Sequence, residues 1–475
     1  MMPDSLESLG SRSISLPEFQ ESIDQQVTEA VIRLEKLTGL FESIPISYTT
    51  CCEKINILRW LQRVDICPRV YWRDREGDLE VAGIGSACVI TADHPRDFAE
   101  SFERIDRILK LQPDNPFLRF FGGTRFDPQT APAQLWQSFP SSWFVLPQLI
   151  VTRNGDEFFL TVTAAWDGIS DIDEVQTRMY GSLGLFFHPD DIIDKIQPHI
   201  VARTDTPDCK QWSAGIAKVL TEIDAGKVDK VVLARRCDFQ LSGALDPCHY
   251  LETLIAQGKR CYGFLFQPNR SVAFVGLTPE RLFNVAGNHL VTEAIAGTIA
   301  IGDSKEETAT NASQLLERDK NRHEQRYVVD GLRAKLAELC DAVESTDSPQ
   351  ILQLTHVQHL ITRLAGTLRS SVTLSDVYAA IHPTAAVCGT PSKTALSLLT
   401  EIEGFDRGWY ASGVGMISHQ STELAVAIRS GLISGRTLSL FAGAGIVRGS
   451  DADLEWQELE HKLTAGINAL TGGSQ

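Results

Sequence analysis

The sequence predicts an α+β fold, in which antiparallel strands form layers and long helices interrupt them. Three observations predict it. Short runs rich in β-branched and aromatic residues recur through the chain, among them YGFLFQ (262–267), VAFVG (272–276) and LAVAIR (424–429). The turn signal Asn154-Gly155 joins two such runs, VLPQLIVTR and EFFLTVTAA, as a hairpin. Helical patterns interrupt these strands in long stretches, which speaks against a parallel α/β sheet.

In chain order, the first 26 residues are polar and acidic, with Asp4, Glu7, Glu18, Glu21 and Asp24. That composition is foreign to a signal peptide and to an Arg-rich transit peptide. Between 23 and 41, Val27, Val31, Leu34 and Leu37 fall at helical spacing. Strand-like runs follow at 69–72, 79–90 and 143–152. Gly83 and Gly85 lack the third glycine and the βαβ setting of a dinucleotide loop, so 79–90 reads as a strand with close backbone packing. The stretch 198–210 has mixed polarity and no period, and is the best candidate connection. A helix then carries Trp212, Ile216, Val219, Leu220 and Ile223 on one face, and Gly226 closes it. Strands are expected at 230–233, 262–267, 272–276, 282–285 and 289–292, before a charge-rich helical stretch at 306–339. The last third returns to strands at 413–417, 424–429 and 437–443, and ends in a helix at 454–470. The organisation expected is a polar segment and helix (1–45), a first β-rich part (46–204) and a catalytic region (205–475), the last two intertwined as one large domain.

At 475 residues, 43% hydrophobic and 22% charged, the chain has the composition of a soluble globular protein. A net charge of −17 excludes the basic footprint that nucleic acid needs. An anionic ligand would have to find its positive charge locally, from Lys, Arg or a metal ion. No stretch reaches the roughly 18 uncharged apolar residues of a membrane span. The ten cysteines are scattered, without CxxC or zinc spacing, and read as thiols in the reducing cytosol.

The most informative segment is LFAGAGIVRGSDADLEWQELEHKL, near the C-terminus. Gly443 and Gly445 let backbone approach a ligand closely, and Ser450 and Asp451 are candidate N-caps for the following helix. On that helix Glu455, Glu458 and Lys462 share one face, either as a solvated ion pair or as part of a site. A second helical segment, DKNRHEQRY, lacks the second histidine of a zinc protease, but Glu324 offers a hard oxygen ligand. Lys230 opens a strand; exposed it is ordinary, buried it becomes a candidate base. Glu280 in GLTPERLF is either a surface acid or, if enclosed, a proton donor. Thr298, His382 and Arg429 each give a polar handle to a run of small residues, and Arg429 is suited to clamp a carboxylate.

These motifs together resemble the chorismate-utilising enzymes, and among them the isochorismate synthase branch. The resemblance runs through KVVLAR, GLTPERLF, AIAGT, DKNRHE, IHPTAAVCGTP, VAIRSG and FAGAGIV…EWQELEHK, roughly 209–470. More weakly, PRVYWRDREGDLEVAGIGSA and FFGGTRFDP resemble the first halves of members that feed menaquinone or phylloquinone synthesis. The resemblance implies two large antiparallel sheets packed together and flanked by helices. It implies that Lys230 activates a water to attack C2 of chorismate and that Glu280 protonates the departing C4 hydroxyl. Glu324 and Glu458 would hold Mg²⁺, with Glu455 behind them on metal-bound water. Arg429, Tyr410 and Lys462 would surround the enolpyruvyl carboxylate, while Gly297, Thr298, His382, Ala386, Gly443 and Gly445 line the pocket. Ammonia-using members resemble one another in having Gln at the position of Lys230, and aminodeoxychorismate synthase carries a nucleophilic Lys at that of Ala296. Salicylate synthases tend to have Thr at the position of Ala386, and Trp409 weakly favours stopping at isochorismate. Asn321 lies where some relatives have an acid, so the outer metal shell is expected to differ slightly. The alternatives are a salicylate synthase and a non-catalytic chorismate-binding protein. No nucleic-acid or membrane partner is expected, and the chain is expected to be a monomer.

Overall fold

The structure, a computed structural model, describes residues 16–34, 44–94, 97–113, 115–187, 197–346, 348–355 and 357–471. Within the helices it leaves out the side chains of 16–19, 32–34, 187, 319–321, 323 and 324. The expected α+β class holds: two large antiparallel sheets are surrounded by helices.

Among the described residues, the larger sheet has 12 strands. Its order is Ile44–Cys51, Glu157–Trp166, Leu149–Asn154, Leu79–Ile84, Arg69–Arg73, Tyr262–Asn269, Val272–Thr278, Ser430–Ser434, Thr437–Ile446, Lys230–Leu241 and Gly389–Thr390, with Ile200–Thr206 also paired to Lys230–Leu241. The smaller has 10, ordered Cys340–Ser345, Val357–Leu368, His289–Ala300, Arg281–Ala286, Ser421–Val426, Gly413–Ser418, Arg119–Thr124, Ser142–Leu146 and Cys88–Ala92, with Gln350–Gln353 also on Val357–Leu368. Both sheets therefore interleave strands from the two halves of the chain. Arg69–Arg73 pairs with Tyr262–Asn269, and Arg119–Thr124 pairs with Gly413–Ser418. One continuous apolar core, with Trp72, Trp136, Trp212 and Trp409 fully buried, runs through both sheets.

Five expectations change in physically instructive ways. The run 79–90 is not one strand: Leu79–Ile84 lies in the larger sheet and Cys88–Ala92 in the smaller. The chain crosses at Gly85 (φ +65°), where a Cβ would lie 2.3 Å from the Gln148 side-chain oxygen. The run 143–152 divides in step, at Pro147 and Gln148, and Gln148 N–H donates to Ile84 O at 3.1 Å. β-rich sequence resumes directly after each crossing, so Gly85 and Pro147 read as irregularities within one strand and not as a change of sheet. The supposed connection at 198–210 holds the strand Ile200–Thr206, whose exposure as an outer strand explains its polar composition.

The stretch 306–339 forms two helices, Lys305–Glu317 capped by Ser304 and Asp319–Leu339, broken at Arg318 (ψ 122°). The run 424–429 stops as a strand at Val426, and Arg429 takes φ +52°. Leu16–Leu34 is helical, while 35–41 lies outside the described residues. The Asn154-Gly155 hairpin forms as expected, with Gly155 at φ +60°.

Candidate active site

The strand Thr437–Ile446 delivers Gly443 and Gly445 to the wall of a cavity of about 750 Å³, counting the space open at its mouth. A Cβ on Gly443 would come 3.0 Å from the Tyr410 hydroxyl, so any side chain here would press on that tyrosine. The helix Ala452–Thr471 follows, and Asp451 caps it by accepting from the N–H groups of Asp453 and Leu454 at 3.0 Å each. Ser450 turns back instead, and its hydroxyl accepts from Val447 N–H. Capping fixes where the helix begins and so which face meets the cavity. Glu458 and Lys462 are on that face, their carboxylate and ammonium 2.5 Å apart. The Lys462 ammonium also donates to Gly443 O at 2.8 Å, tying helix to strand. Glu455, one turn earlier, is buried but is not among the residues lining the cavity.

Glu280 is 3% exposed and lines the same cavity. Its backbone is locked: Val426 N–H donates to Glu280 O at 2.9 Å, and the Thr278 hydroxyl donates to Val426 O at 2.7 Å. Burial pushes the Glu280 carboxyl up to about 8. The charges of Lys230, Arg75 and Lys462 oppose that rise and Glu293 adds to it. Arg75 belongs to the first half of the chain and forms a two-pronged ion pair with Glu293. Lys230 is itself buried, 1% exposed, at the first residue of its strand and opposite Thr390. A carboxyl that keeps its proton to neutrality, within the field of a buried lysine, is a pair suited to giving and taking protons.

On the facing wall the strand His289–Ala300 slips register between Ala296 and Thr298, where Gly297 adopts φ +68°. This bulge turns Ala296, Gly297 and Thr298 into the cavity together. His359 lies opposite Thr298, and its Nδ1 is 3.2 Å from both the Thr298 hydroxyl and Gly297 O. Gln325, on the Asp319–Leu339 helix, donates to Ala294 O and the Thr362 hydroxyl at 3.0 Å each, pinning that helix beside the bulge.

Ala411 (φ +63°) and Arg429 (φ +52°) are non-glycine residues in the left-handed region, and both line the cavity. Each conformation costs about 1–2 kcal/mol, strain typical of residues held for function. Hydrogen bonds hold them: Ala411 N–H donates to Ala427 O, and Leu277 N–H to Arg429 O. Arg429 Nη1 donates to Lys462 O at 3.2 Å, and burial lowers the guanidinium's pKa from its usual range. The Tyr410 ring stacks on Phe441 at 5.1 Å. Arg429 and Lys462 thus present two cations inside a net-acidic chain.

Lys230 and Glu455 are buried beyond the lining; Glu280, Gly297, Thr298, Ala386, Tyr410, Arg429, Gly443, Gly445, Glu458 and Lys462 line one cavity. His382 is placed elsewhere. Its ring stacks on Tyr378 at 5.1 Å, its Nε2 donates to Phe126 O at 3.1 Å, and burial lowers its pKa to about 4. The cavity's histidine is His359, whose setting VQHLIT looks like an ordinary apolar strand. Pro279, Val232, Val387 and Phe441 also line the cavity, each inside a motif quoted above but not itself expected at the site. Glu324 falls in the first turns of the Asp319–Leu339 helix, and its side chain, like that of Asn321, lies outside the described residues.

A family model described as chorismate binding enzyme matches residues 33–471. The chain is 34% identical over 399 residues to the chloroplastic isochorismate synthase of Catharanthus roseus, covering 82% of this chain and 68% of that protein. It is 31% identical over 460 residues to isochorismate synthase MenF of Bacillus subtilis, covering 94% and 97%. The solved structure of MenF from Escherichia coli, described as the menaquinone-specific isochorismate synthase, superposes with a TM-score of 0.79 at 28% identity, covering 94% of this chain and all of that one.

Proposed function

The chain belongs to the chorismate-binding enzyme family, and on that premise we propose that it interconverts chorismate and isochorismate. The observation that carries the reading is Glu280: a buried carboxyl protonated to about pH 8, with Lys230 acting on its charge, in a cavity whose Arg429 and Lys462 suit a dianion. Water adds at C2 of the ring and the hydroxyl at C4 leaves, so one water enters and one departs. Lys230 takes a proton from the attacking water. Glu280 gives its proton to the leaving hydroxyl, and solvent restores both groups. Acting together they avoid free hydroxide as either nucleophile or leaving group. Arg429 and Lys462 hold the enolpyruvyl carboxylate with Tyr410, and the bulge at Gly297 and Thr298 shapes the wall against the ring.

The acids present fit Mg²⁺. Glu458, which lines the cavity, and Glu324, from the second helix, would be its hard oxygen ligands, with Glu455, buried one turn before Glu458, behind them on metal-bound water. When bound, the ion would supply positive charge to offset the ring carboxylate. Ala386 on the cavity wall supports a reaction that stops at isochorismate and does not go on to eliminate pyruvate. The menaquinone-specific relative supports a quinone pathway for the product. Ten free thiols support a cytosolic, reducing setting, and we take the enzyme to act as a monomer.

The test is incubation with chorismate and Mg²⁺, with products separated by chromatography and a parallel sample in EDTA. Isochorismate that disappears with the chelator is expected. Salicylate with pyruvate would replace this reading by a salicylate synthase, and binding without turnover by a chorismate-binding protein.

A further inference from the structure

Behind the cavity wall lies an ion pair that touches none of the reacting groups assigned above. Glu403 and Arg407 are 3% and 5% exposed, on the turn after the helix Ser392–Ile402. Arg407 Nε donates to Glu403 Oε2 at 2.8 Å and Nη2 to Oε1 at 2.5 Å. The same guanidinium donates from Nη1 to Val387 O at 2.8 Å and from Nη2 to Val232 O at 2.6 Å. Glu403 Oε1 also accepts from Ala234 N–H at 2.8 Å. Tyr410 N–H donates to Arg407 O, and the guanidinium lies 5.8 Å from the Tyr410 ring centre. Val232, Val387 and Tyr410 are all cavity-lining residues, from three separate segments.

We infer that the Glu403–Arg407 pair is a positioning device for substrate binding, which holds the Lys230–Leu241 strand, the loop through Val387 and Tyr410 at fixed spacing. The inference rests on the chorismate reading. Because Glu403 neutralises Arg407, the pair adds little net charge for a dianion, unlike Arg429. What it supplies is geometry: a planar fork reaches two carbonyls and one carboxylate at once, which a lysine ammonium on a flexible stem cannot. A further anchor acts on the same turn. Arg125, fully buried, binds Asp406 through Nη2 at 2.8 Å, and Asp406 accepts from Gly408 N–H.

The distinguishing variant is Arg407→Lys, which keeps the ion pair but loses the fork. A merely structural charge pair would be rescued by lysine; the positioning role would not. Chorismate binding by calorimetry should weaken about tenfold and KM rise in parallel, with kcat within about threefold of wild type, the alkaline limb of the pH profile unmoved and a melting temperature close to wild type. Wild-type affinity in Arg407→Lys would overturn the inference, as would a loss confined to kcat. If Arg407→Lys does not fold, the apolar pair Glu403→Leu with Arg407→Met, which avoids an unpaired buried charge, is read in the same way. Failure of the wild-type protein to bind chorismate would instead sink the chorismate reading.

Discussion

Glu280 and Glu403 are equally buried, each 3% exposed, yet their surroundings make them opposites. Among the described residues, no hydrogen bond reaches the Glu280 carboxyl, and burial leaves it protonated to about pH 8. Glu403 accepts two hydrogen bonds from Arg407 and one from Ala234 N–H. Burial alone therefore does not say what a carboxyl is for. An enclosed acid without a close partner is left holding a transferable proton, whereas one gripped by a guanidinium becomes part of the frame.

Variants at the two sites should separate these roles. The largest effect is expected at the proton-transfer pair: Glu280→Gln and Lys230→Ala should each lower kcat by about 10²–10⁴-fold while chorismate binding, read by calorimetry, largely survives. Near-wild-type turnover by either would refute its assignment. Next is stability, with opposite signs. Removing the Glu403 charge strands Arg407, so Glu403→Gln should destabilise by about 3–5 kcal/mol in denaturant melts. Glu280→Gln should stabilise, but only where ionisation matters. The unfolded carboxyl ionises near 4.5 and the folded one near 8, so its stabilising protonated form is fully retained below 4.5 and lost as pH rises to about 8. The variant should match wild type at pH 4 and exceed it above pH 8; a constant difference would contradict the assigned cause.

The same group should set the pH profile, with kcat falling on the alkaline side through about 8 as the acid loses its proton. An alkaline limb that survives in Glu280→Gln would belong to another group. The smallest effect is expected at Gly443→Ala, whose new methyl meets the Tyr410 hydroxyl at 3.0 Å. Chorismate KM should rise a few-fold, with turnover nearly unchanged.

How much of this was legible in the sequence depended on whether a role is written locally. The face of Glu458 and Lys462 follows from helical spacing, and small residues around Arg429 and Gly443 mark a close approach. Glu280 could be named as a candidate, but the enclosure that gives it a proton comes from the fold around it. His359 escaped notice because a lone histidine in VQHLIT looks like any strand residue, and its partner Thr298 faces it only through the bulge at Gly297. His382 stood out beside a run of small residues, but that segment sends Ala386 and Val387 to the cavity and leaves its histidine against Tyr378 and Phe126. Glu403 and Arg407 sit in a polar-looking turn, EGFDRGWY, whose burial is a product of neighbours far away in sequence. At Gly85 and Pro147 the break itself is written locally, but the change of sheet depends on partners far away in sequence.

The interleaving of the two halves has a consequence for how the protein is made. The strand Arg69–Arg73 has no partner on one side until Tyr262–Asn269 is synthesised, and Arg119–Thr124 waits for Gly413–Ser418. At ribosomal speed those delays are on the order of ten seconds or more, during which the nascent chain carries bare, apolar strand edges. The order of synthesis therefore leaves two apolar strand edges uncovered until the second half of the chain arrives to close both sheets.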